Sequence, residues 1–249
     1  MNQTIRWSYV FIDRPQDQFD GSCAFWTQVT GTHLSERRGD QGEFATLLPA
    51  AGDACVKIQG VGSGGGAHPD LAVDDIDAFV RAAEGLGAEV VAAEPGLVVM
   101  RSPGGQLFCV VPWQGESVRP DPVEGPEGAY SRLDQICIDL APAAYDTEAA
   151  FWAGLTGWER GQSALPEFQR VAPAPALPVR ILFQRLDEDR PTTAHLDLAC
   201  SDVEAVRTWH EKHGATFVAR FPHWTVMRDP AGLLYCLTSR DPHTGNPTG

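Results

Sequence analysis

The stretch that decides the fold runs from His68 to Cys109 and reads HPDLAVDDIDAFVRAAEGLGAEVVAAEPGLVVMRSPGGQLFC. A second version lies between His195 and Cys236 and reads HLDLACSDVEAVRTWHEKHGATFVARFPHWTVMRDPAGLLYC. At this offset of 127 residues, 19 of the 42 aligned positions are identical. Average amino-acid usage would give roughly three identities by chance. The match therefore indicates an internal duplication.

The duplication extends toward the N-terminus of each copy. The pattern FW followed by TG at residues 25–31 recurs at residues 151–157, at an offset of 126. Between the copies, the chain is rich in Pro, Gly and charge and has no periodic apolar pattern, which is typical of a linker. We therefore predict a first domain over residues 1–114, a linker over 115–130, a second domain over 131–240 and a flexible tail over 241–249.

Each copy is predicted to contain two modules with the order βαβββ. In the first module, β-branched and aromatic runs indicate strands at 7–13, 44–48 and 55–59, around a helix over 22–30, with room for one more short strand. In the next module, Asp74 or Asp75 caps a helix with apolar residues at helical spacing, and three strands follow. The second copy repeats this order, so the predicted fold class is α+β.

The composition excludes several classes of partner. Nineteen Lys and Arg against 33 Asp and Glu give a formal charge of −14, and such a surface repels phosphate backbones and anionic lipids. We expect neither a nucleic-acid nor a membrane partner, and the absence of a signal-peptide pattern or a long apolar run predicts a cytoplasmic protein. The six cysteines occur singly, and we expect them to be reduced and mostly buried.

Three motifs, taken together and in order, resemble glyoxalase-like domains of the vicinal oxygen chelate (VOC) superfamily. They are the FW-x-x-x-TG helix end, the H-x-DLA strand that begins at His68 and at His195, and the (D/S)P-x-G hairpin before the last strand. The resemblance covers both copies. It implies curved mixed sheets with a small-molecule site inside, and in many members a divalent metal held by His and Glu.

At the positions where metal-binding members carry ligands, this chain has a different set of residues. The resemblance places the candidate ligand-binding residues at four pairs of equivalent positions: His68 and His195, Gln59 and Gln184, Trp7 and Leu133, Cys109 and Cys236. One imidazole, one amide, one thiol and one apolar group are a poor match to a conventional metal site. The resemblance therefore predicts no required cofactor, although a divalent metal stays possible.

Two functions follow from the resemblance. The first is a metal-free protein of the bleomycin-resistance type that binds a small organic ligand by shape and aromatic stacking. The alternative is a VOC enzyme, a lyase, isomerase or dioxygenase, that acts on a small oxygenated metabolite with a divalent metal. For each histidine, a hydrogen-bonded structural role competes with lining a pocket and with metal ligation.

The sequence leaves open how the modules pair to form the sites. If the two domains pair as glyoxalase dimers do, Trp7 and Gln59 would face His195 and Cys236. The other site would then join Leu133 and Gln184 to His68 and Cys109. The linker is long enough for pairing within or between the copies.

Overall fold

The computed structural model describes residues 5–163, 165–173 and 176–248. Each copy contains two modules, and each module has one helix followed by three strands after its first strand. The first copy comprises β1 (Ile5–Pro15), α1 (Phe19–Thr30), β2 (His33–Leu34), β3 (Phe44–Leu48), β4 (Val56–Val61), β5 (Gly66–Val73), α2 (Ile76–Gly85), β6 (Glu89–Glu94), β7 (Leu97–Arg101) and β8 (Leu107–Pro112). After the short strand β9 (Val123–Glu124), the second copy comprises β10 (Tyr130–Leu140), α3 (Tyr145–Thr156), β11 (Glu159–Gln162), β12 (Phe168–Ala172), β13 (Arg180–Arg185), β14 (Thr193–Cys200), α4 (Val203–Lys212), β15 (Thr216–Arg220), β16 (Trp224–Arg228) and β17 (Leu234–Thr238).

The strands of each copy form one mixed sheet with the same topology. The first sheet has the order β2-β3-β4-β1-β5-β8-β7-β6, and the second has the order β11-β12-β13-β10-β14-β17-β16-β15. In both sheets the strand that carries the histidine pairs in parallel with the last strand of the copy, as β5 with β8 and β14 with β17. The α+β prediction of two modules per copy is confirmed.

The helix ends follow the local sequence. Asp75 accepts a hydrogen bond from the backbone N–H of Ala78 and so caps α2, and Asp202 caps α4 in the same way. Such caps satisfy backbone donors that a helix start would otherwise leave unpaired. Gly31 and Gly157 end α1 and α3 in the left-handed conformation, with φ of 60° and 67°, which glycine adopts without the steric cost of a side chain.

The chain divides into two compact units, and each unit combines a module from each copy. The first unit contains β1 as far as Val10, together with His68–Val118 and Ile136–Ala194. The second unit contains Phe11–Ala67, Arg119–Gln135 and the chain from His195 onward. The predicted pairing of the two copies within one chain is therefore present in the structure.

Aromatic side chains pack the two modules of each unit together. In the first unit the Phe108 ring contacts the Phe151 and Trp152 rings, with centroids 5.9 and 5.1 Å apart. In the second unit Trp26 packs edge-on against Tyr235 at 5.3 Å. Rings in such arrangements contribute dispersion and quadrupole attraction beyond the area that they bury.

All six cysteines are buried thiols without a disulfide partner, as expected. Within the described part of the chain, no helix is long and apolar enough to cross a membrane.

The C-terminal segment folds back on itself, because Arg240 forms a β-bridge with Pro247 and Asp241 accepts hydrogen bonds from the N–H groups of His243 and Thr244. Residues 1–4 of the predicted first domain and Gly249 of the predicted tail lie outside the described residues, and the flexibility of the tail and the domain bounds stay predictions.

A buried histidine on α4 distinguishes the second unit. His210 is fully buried, and its Nδ1 lies 2.9 Å from the hydroxyl of Tyr235. Burial lowers the pKa of His210 to about 3. At the equivalent positions, 127 residues earlier, the first copy has Ala83 and Phe108. The second copy thus replaces an apolar pair with a polar pair that must stay neutral.

We expect His210 to make the protein less stable in acid. Between the unfolded pKa of about 6.5 and the folded pKa of about 3, the unfolded state binds a proton that the folded state does not. The free energy of unfolding should therefore fall as the pH falls, by up to about 1.4 kcal/mol per pH unit from this group. Urea unfolding from pH 6.5 to pH 4 should show a shallower slope for the double variant His210→Ala/Tyr235→Phe, which copies Ala83 and Phe108. Identical slopes would contradict this assignment.

Candidate metal and substrate sites

The first candidate site lies in the first unit and consists of His68, Asp70 and Cys109. His68 and Asp70 alternate along β5 and so face the same side of the sheet, and Cys109 is the register partner of Asp70 on β8. His68 Nε2 lies 3.6 Å from Asp70 Oδ1. One ligand atom from each of the three residues lies within 4.8 Å of the others, and all three side chains are buried. We call this the His68 site.

Burial controls the protonation of the Cys109 thiol in the His68 site. It raises the pKa of the Cys109 thiol, and hydrogen bonding to His68 partly opposes that rise. Asp70 also interacts with the thiol and raises its pKa further. The thiol is therefore protonated at neutral pH unless a cation displaces its proton.

The second candidate site lies in the second unit and consists of Gln135, His195, Asp197 and Cys236. His195 Nε2 lies 3.5 Å from Asp197 Oδ1. Gln135 Nε2 donates a hydrogen bond of 2.5 Å to the other carboxylate oxygen, Asp197 Oδ2. Cys236 on β17 is the register partner of Asp197. We call this the His195 site.

The Asp197 carboxylate is held in an environment that disfavours its charge. Burial raises the pKa of Asp197, while His195, Arg240 and the hydrogen bond from Gln135 lower it. Its Oδ1 is buried without a hydrogen-bond donor among the described residues and points at the His195 imidazole. A buried carboxylate oxygen in this position needs a positive charge or a donor to offset its desolvation.

The ligand-atom spacing in both sites fits a divalent ion. Two ligand atoms about 2.1 Å from one tetrahedral ion lie roughly 3.4 Å apart, close to the imidazole–carboxylate distances of 3.6 and 3.5 Å. Imidazole and carboxylate suit several first-row divalent metals, and a thiolate adds preference for zinc. The residues present therefore fit a metal, with His, Asp and Cys donors in the His68 site and a His and Asp pair in the His195 site, in place of the His and Glu that the resemblance implied.

The structure brings together some of the residues that the sequence singled out. His68 with Cys109, and His195 with Cys236, lie on paired neighbouring strands. Gln59 is paired with Phe44 on the β3–β4 hairpin, and Gln184 with Phe168 on the β12–β13 hairpin. Both glutamines are half-buried, and their role in ligand binding stays a prediction.

The hypothesis that sites form between the copies was wrong for the first-strand residues. Trp7 lies on β1, which is next to β5, and Leu133 lies on β10, which is next to β14. Trp7 therefore belongs with His68, and Leu133 belongs with His195. The first strands of the two modules of one copy are hydrogen-bonded neighbours, so the strand residues of each site come from a single copy. The helices of each compact unit, in contrast, come from both copies.

Asp70, Asp197 and Gln135 were not among the candidate site residues predicted from the sequence. The two aspartates each follow a histidine by two residues, and the period of two in a strand places such residues on one face. That signal was present in the H-x-D motif. Gln135 carried no comparable signal, because its partner Asp197 is 62 residues away along the chain.

The two sites differ in the side chains that the neighbouring first strand places beside the histidine. Gln135 contacts Asp197, so its side chain lies on the site's face of β10, as do those of its alternate neighbours. The equivalent residues of β1 are Trp7 and Tyr9, where β10 has Leu133 and Gln135. The Tyr9 hydroxyl donates to a carboxylate oxygen of Glu116, so the segment after β8 covers Tyr9. The first site is thus lined by two large rings and covered, while the second has smaller side chains.

Comparison with known proteins places the chain in a family and identifies its fold. A family model described as a glyoxalase-like domain matches residues 9–111 and again residues 135–238. No curated protein matches the chain.

Several solved structures share the fold at low sequence identity. A 2,2',3-trihydroxybiphenyl 1,2-dioxygenase from Sphingomonas wittichii has a TM-score of 0.65 and 13% identity, over 96% of this chain and 90% of that chain. A 2,3-dioxygenase from Pseudomonas has a TM-score of 0.65 and 11% identity, over 96% and 93%. A variant of 4-hydroxymandelate synthase from Streptomyces coelicolor has a TM-score of 0.64 and 13% identity, over 98% and 96%. With two matched domains that account for most of its length, the chain belongs to the glyoxalase-like family of the VOC superfamily.

Proposed function

We propose that the chain is a metal-dependent VOC enzyme of the dioxygenase type, which acts at the His195 site on a small molecule with two neighbouring oxygen atoms, such as a catechol. The observation that carries the proposal is the pair formed by His195 Nε2 and Asp197 Oδ1, 3.5 Å apart, in which the carboxylate oxygen is buried and has no hydrogen-bond donor among the residues that the structure describes. Solved structures with this fold include dioxygenases that are similar over nearly the whole chain, which supports the same class.

His195 and Asp197 would hold the metal, with Cys236 beside Asp197 on the adjacent strand. A bound divalent ion supplies Lewis-acid polarisation of two neighbouring substrate oxygens. Gln135 fixes the carboxylate, because its amide donates to Asp197 Oδ2 and leaves Oδ1 directed at the imidazole. Residues of this kind, which orient a ligand through its second atom, typically contribute about 10–100-fold to metal affinity or activity.

The remaining wall of the His195 site is apolar and aromatic. Val226 is the register partner of Cys236, and Trp224 is the register partner of Thr238, so both lie on the same side of the sheet as Asp197. The Trp224 ring stacks on Phe221 with centroids 4.7 Å apart and planes 13° from parallel. A stacked pair beside polar ligands offers a flat surface to a planar oxygenated ring.

A metal-free ligand-binding protein of the bleomycin-resistance type is the second candidate. The thiol of Cys109 or Cys236 favours it, since each occupies a position where metal-binding relatives carry Glu. In that case the same aromatic wall would bind the ligand, and chelation of metal would not change its affinity. The two functions therefore differ in their response to a chelator.

Leu133→Trp should block the His195 site. This change puts at β10 the residue that the equivalent position of β1 already has, so the backbone geometry accepts an indole there. We expect the affinity for catechol, measured by calorimetry on metal-loaded protein, to fall at least about tenfold, because a binding cavity cannot hold both rings. Metal content should stay unchanged.

The matched control for Leu133→Trp is Trp7→Leu, which makes the reverse change in the first copy. We expect it to leave catechol affinity within about threefold of the wild type, and thermal unfolding would show that both variants are folded. Equal losses in the two variants, or no loss in Leu133→Trp, would refute the choice of the His195 site.

A further inference from the structure

The two compact units contain equivalent tryptophans, and the indole N–H of each donates to a buried carboxylate. In the first unit Trp152 donates to Glu148 Oε1 at 2.8 Å. In the second unit Trp26 donates to Asp229 Oδ2 at 3.2 Å. Glu148 lies on α3 and Asp229 lies between β16 and β17, so both carboxylates belong to the second copy. We infer that the charges around these tryptophans make the two copies specific for each other, so that neither copy pairs with the same copy of another chain.

The first copy supplies the donors that face both carboxylates. In the first unit Ser102 Oγ donates to Glu148 Oε1 at 2.6 Å, and the Gly104 N–H donates to Oε2 at 2.7 Å. In the second unit Arg14 Nε donates to Asp229 Oδ2 at 2.5 Å, and both side chains are 1% exposed. Ser102 and Gly104 lie in the turn between β7 and β8, and Arg14 lies on β1. In each unit, a carboxylate of the second copy therefore meets donors of the first copy.

The equivalent positions of the two copies do not carry these groups. The first copy has Ser22 where the second copy has Glu148, and the second copy has Leu140 where the first copy has Arg14. Ser22 Oγ donates to a carbonyl oxygen of its own chain segment, that of Gln18, at 2.8 Å. The first copy thus brings a guanidinium and hydroxyls to this layer, and the second copy brings both acids.

Pairs of like copies would be mismatched in opposite ways. Two first copies would place Arg14 opposite Ser102 in place of Asp229, and the buried guanidinium would have no carboxylate. Two second copies would place Glu148 opposite Asp229, with Leu140 in place of Arg14. Two buried carboxylates in one site cannot both ionise at low cost, so one of them would have to take up a proton.

A steric difference acts in the same direction as the charges. A Cβ at Gly104 would lie 2.5 Å from Oε2 and 2.9 Å from Cδ of Glu148. The equivalent residue of the second copy is Ala231, so a pair of second copies would crowd Glu148. Because the linker holds the two copies of one chain at a high effective concentration, the partner that each copy accepts is the other copy of its own chain.

Exchanging the two turns tests the inference, because the exchange reverses which pairs of copies match. Residues 102–105 read SPGG and residues 229–232 read DPAG, so the full chain would carry Ser102→Asp, Gly104→Ala, Asp229→Ser and Ala231→Gly. Pairs of like copies would then have one carboxylate at each site. After refolding from urea, we expect light scattering to give at least about twice the wild-type mass, increasing with protein concentration, because chains would associate through like copies.

The matched controls exchange only one of the two turns, which leaves like and unlike pairs with the same number of mismatched sites. We expect each control to have a lower urea midpoint than the wild type but the wild-type mass, since the linker favours pairing within the chain. An exchange variant that refolds with the wild-type mass at every concentration would overturn the inference. So would a single-turn variant that associates as strongly as the exchange variant.

A charge substitution decides the question if the exchange variant does not refold. Glu148→Gln should lower the urea midpoint of the wild type, because Ser102 and Trp152 lose a charged acceptor. In the Ser102→Asp protein the same change should raise the midpoint or restore folding, because it removes one of two facing carboxylates. An effect of the same sign in both backgrounds would contradict charge matching between the copies. Circular dichroism would verify folding, and none of these outcomes depends on activity at the His195 site.

Discussion

Asp229→Ala should strongly destabilise the second unit, with a loss of about 3–5 kcal/mol in the free energy of unfolding. Asp229 Oδ2 accepts from Arg14 Nε at 2.5 Å, and both side chains are only 1% exposed. The same oxygen accepts from Trp26 Nε1 at 3.2 Å, and Oδ1 accepts from the N–H of Leu233 at 3.0 Å. Removing the carboxylate leaves a buried guanidinium and an indole N–H without this acceptor.

The first unit supplies the matched control for that experiment. Ser102 occupies the position equivalent to Asp229, and its hydroxyl donates to Glu148 Oε1 at 2.6 Å, while Trp152 Nε1 donates to the same oxygen at 2.8 Å. Ser102→Ala removes this hydrogen bond to a charged group and the one that the hydroxyl accepts from the N–H of Gln106, and should cost about 1.5–3 kcal/mol. Urea unfolding followed by tryptophan fluorescence would compare the two variants.

A double variant separates the buried charge from simple loss of packing. Arg14→Leu/Asp229→Ala removes both charges, and Leu140 shows that the equivalent position of the second copy accepts leucine. Because replacing a whole buried ion pair costs much less than removing one partner, we expect the double variant to recover part of the stability lost in Asp229→Ala. A loss below about 1 kcal/mol for Asp229→Ala, or no recovery in the double variant, would contradict this account of the second core.

The secondary structure was predictable wherever a local signal defined it. Residues 44–48 form the predicted strand without change of bounds, because turn residues enclose their apolar run. The start of α2 after Asp75 was also predicted from its cap. By contrast, α1 begins at Phe19 and not at the predicted residue 22. The residue before the helix, Gln18, makes no side-chain cap, so no capping signal in the sequence marked this start. Strand β11 is exposed and polar, and its backbone pairing with β12 defines it as a strand. Its sequence has no apolar pattern from which a strand could be predicted.

The candidate sites were predictable only in part, because each depends on contacts between distant strands. The repeat identified both histidines and both cysteines. The aspartates are part of the H-x-D motif, but only the structure shows that they belong to the sites. Asp70 lies 3.6 Å from His68, and Asp197 lies 3.5 Å from His195. The difference between the sites depends on Gln135 and Tyr9, whose partners Asp197 and Glu116 are 62 and 107 residues away.

Oxygen uptake with catechol tests the central claim, that the His195 site is the metal-dependent active site. The wild type, His195→Ala and His68→Ala would be compared after loading with Fe²⁺, at equal concentrations of folded protein. The account predicts that His195→Ala lowers the rate more than about 100-fold, since it removes a ligand rather than a residue that only orients one. His68→Ala should stay within about threefold of the wild type, because its site is closed to substrate. Equal rates in the two variants, or uptake by the wild type that a chelator does not abolish, would contradict the claim.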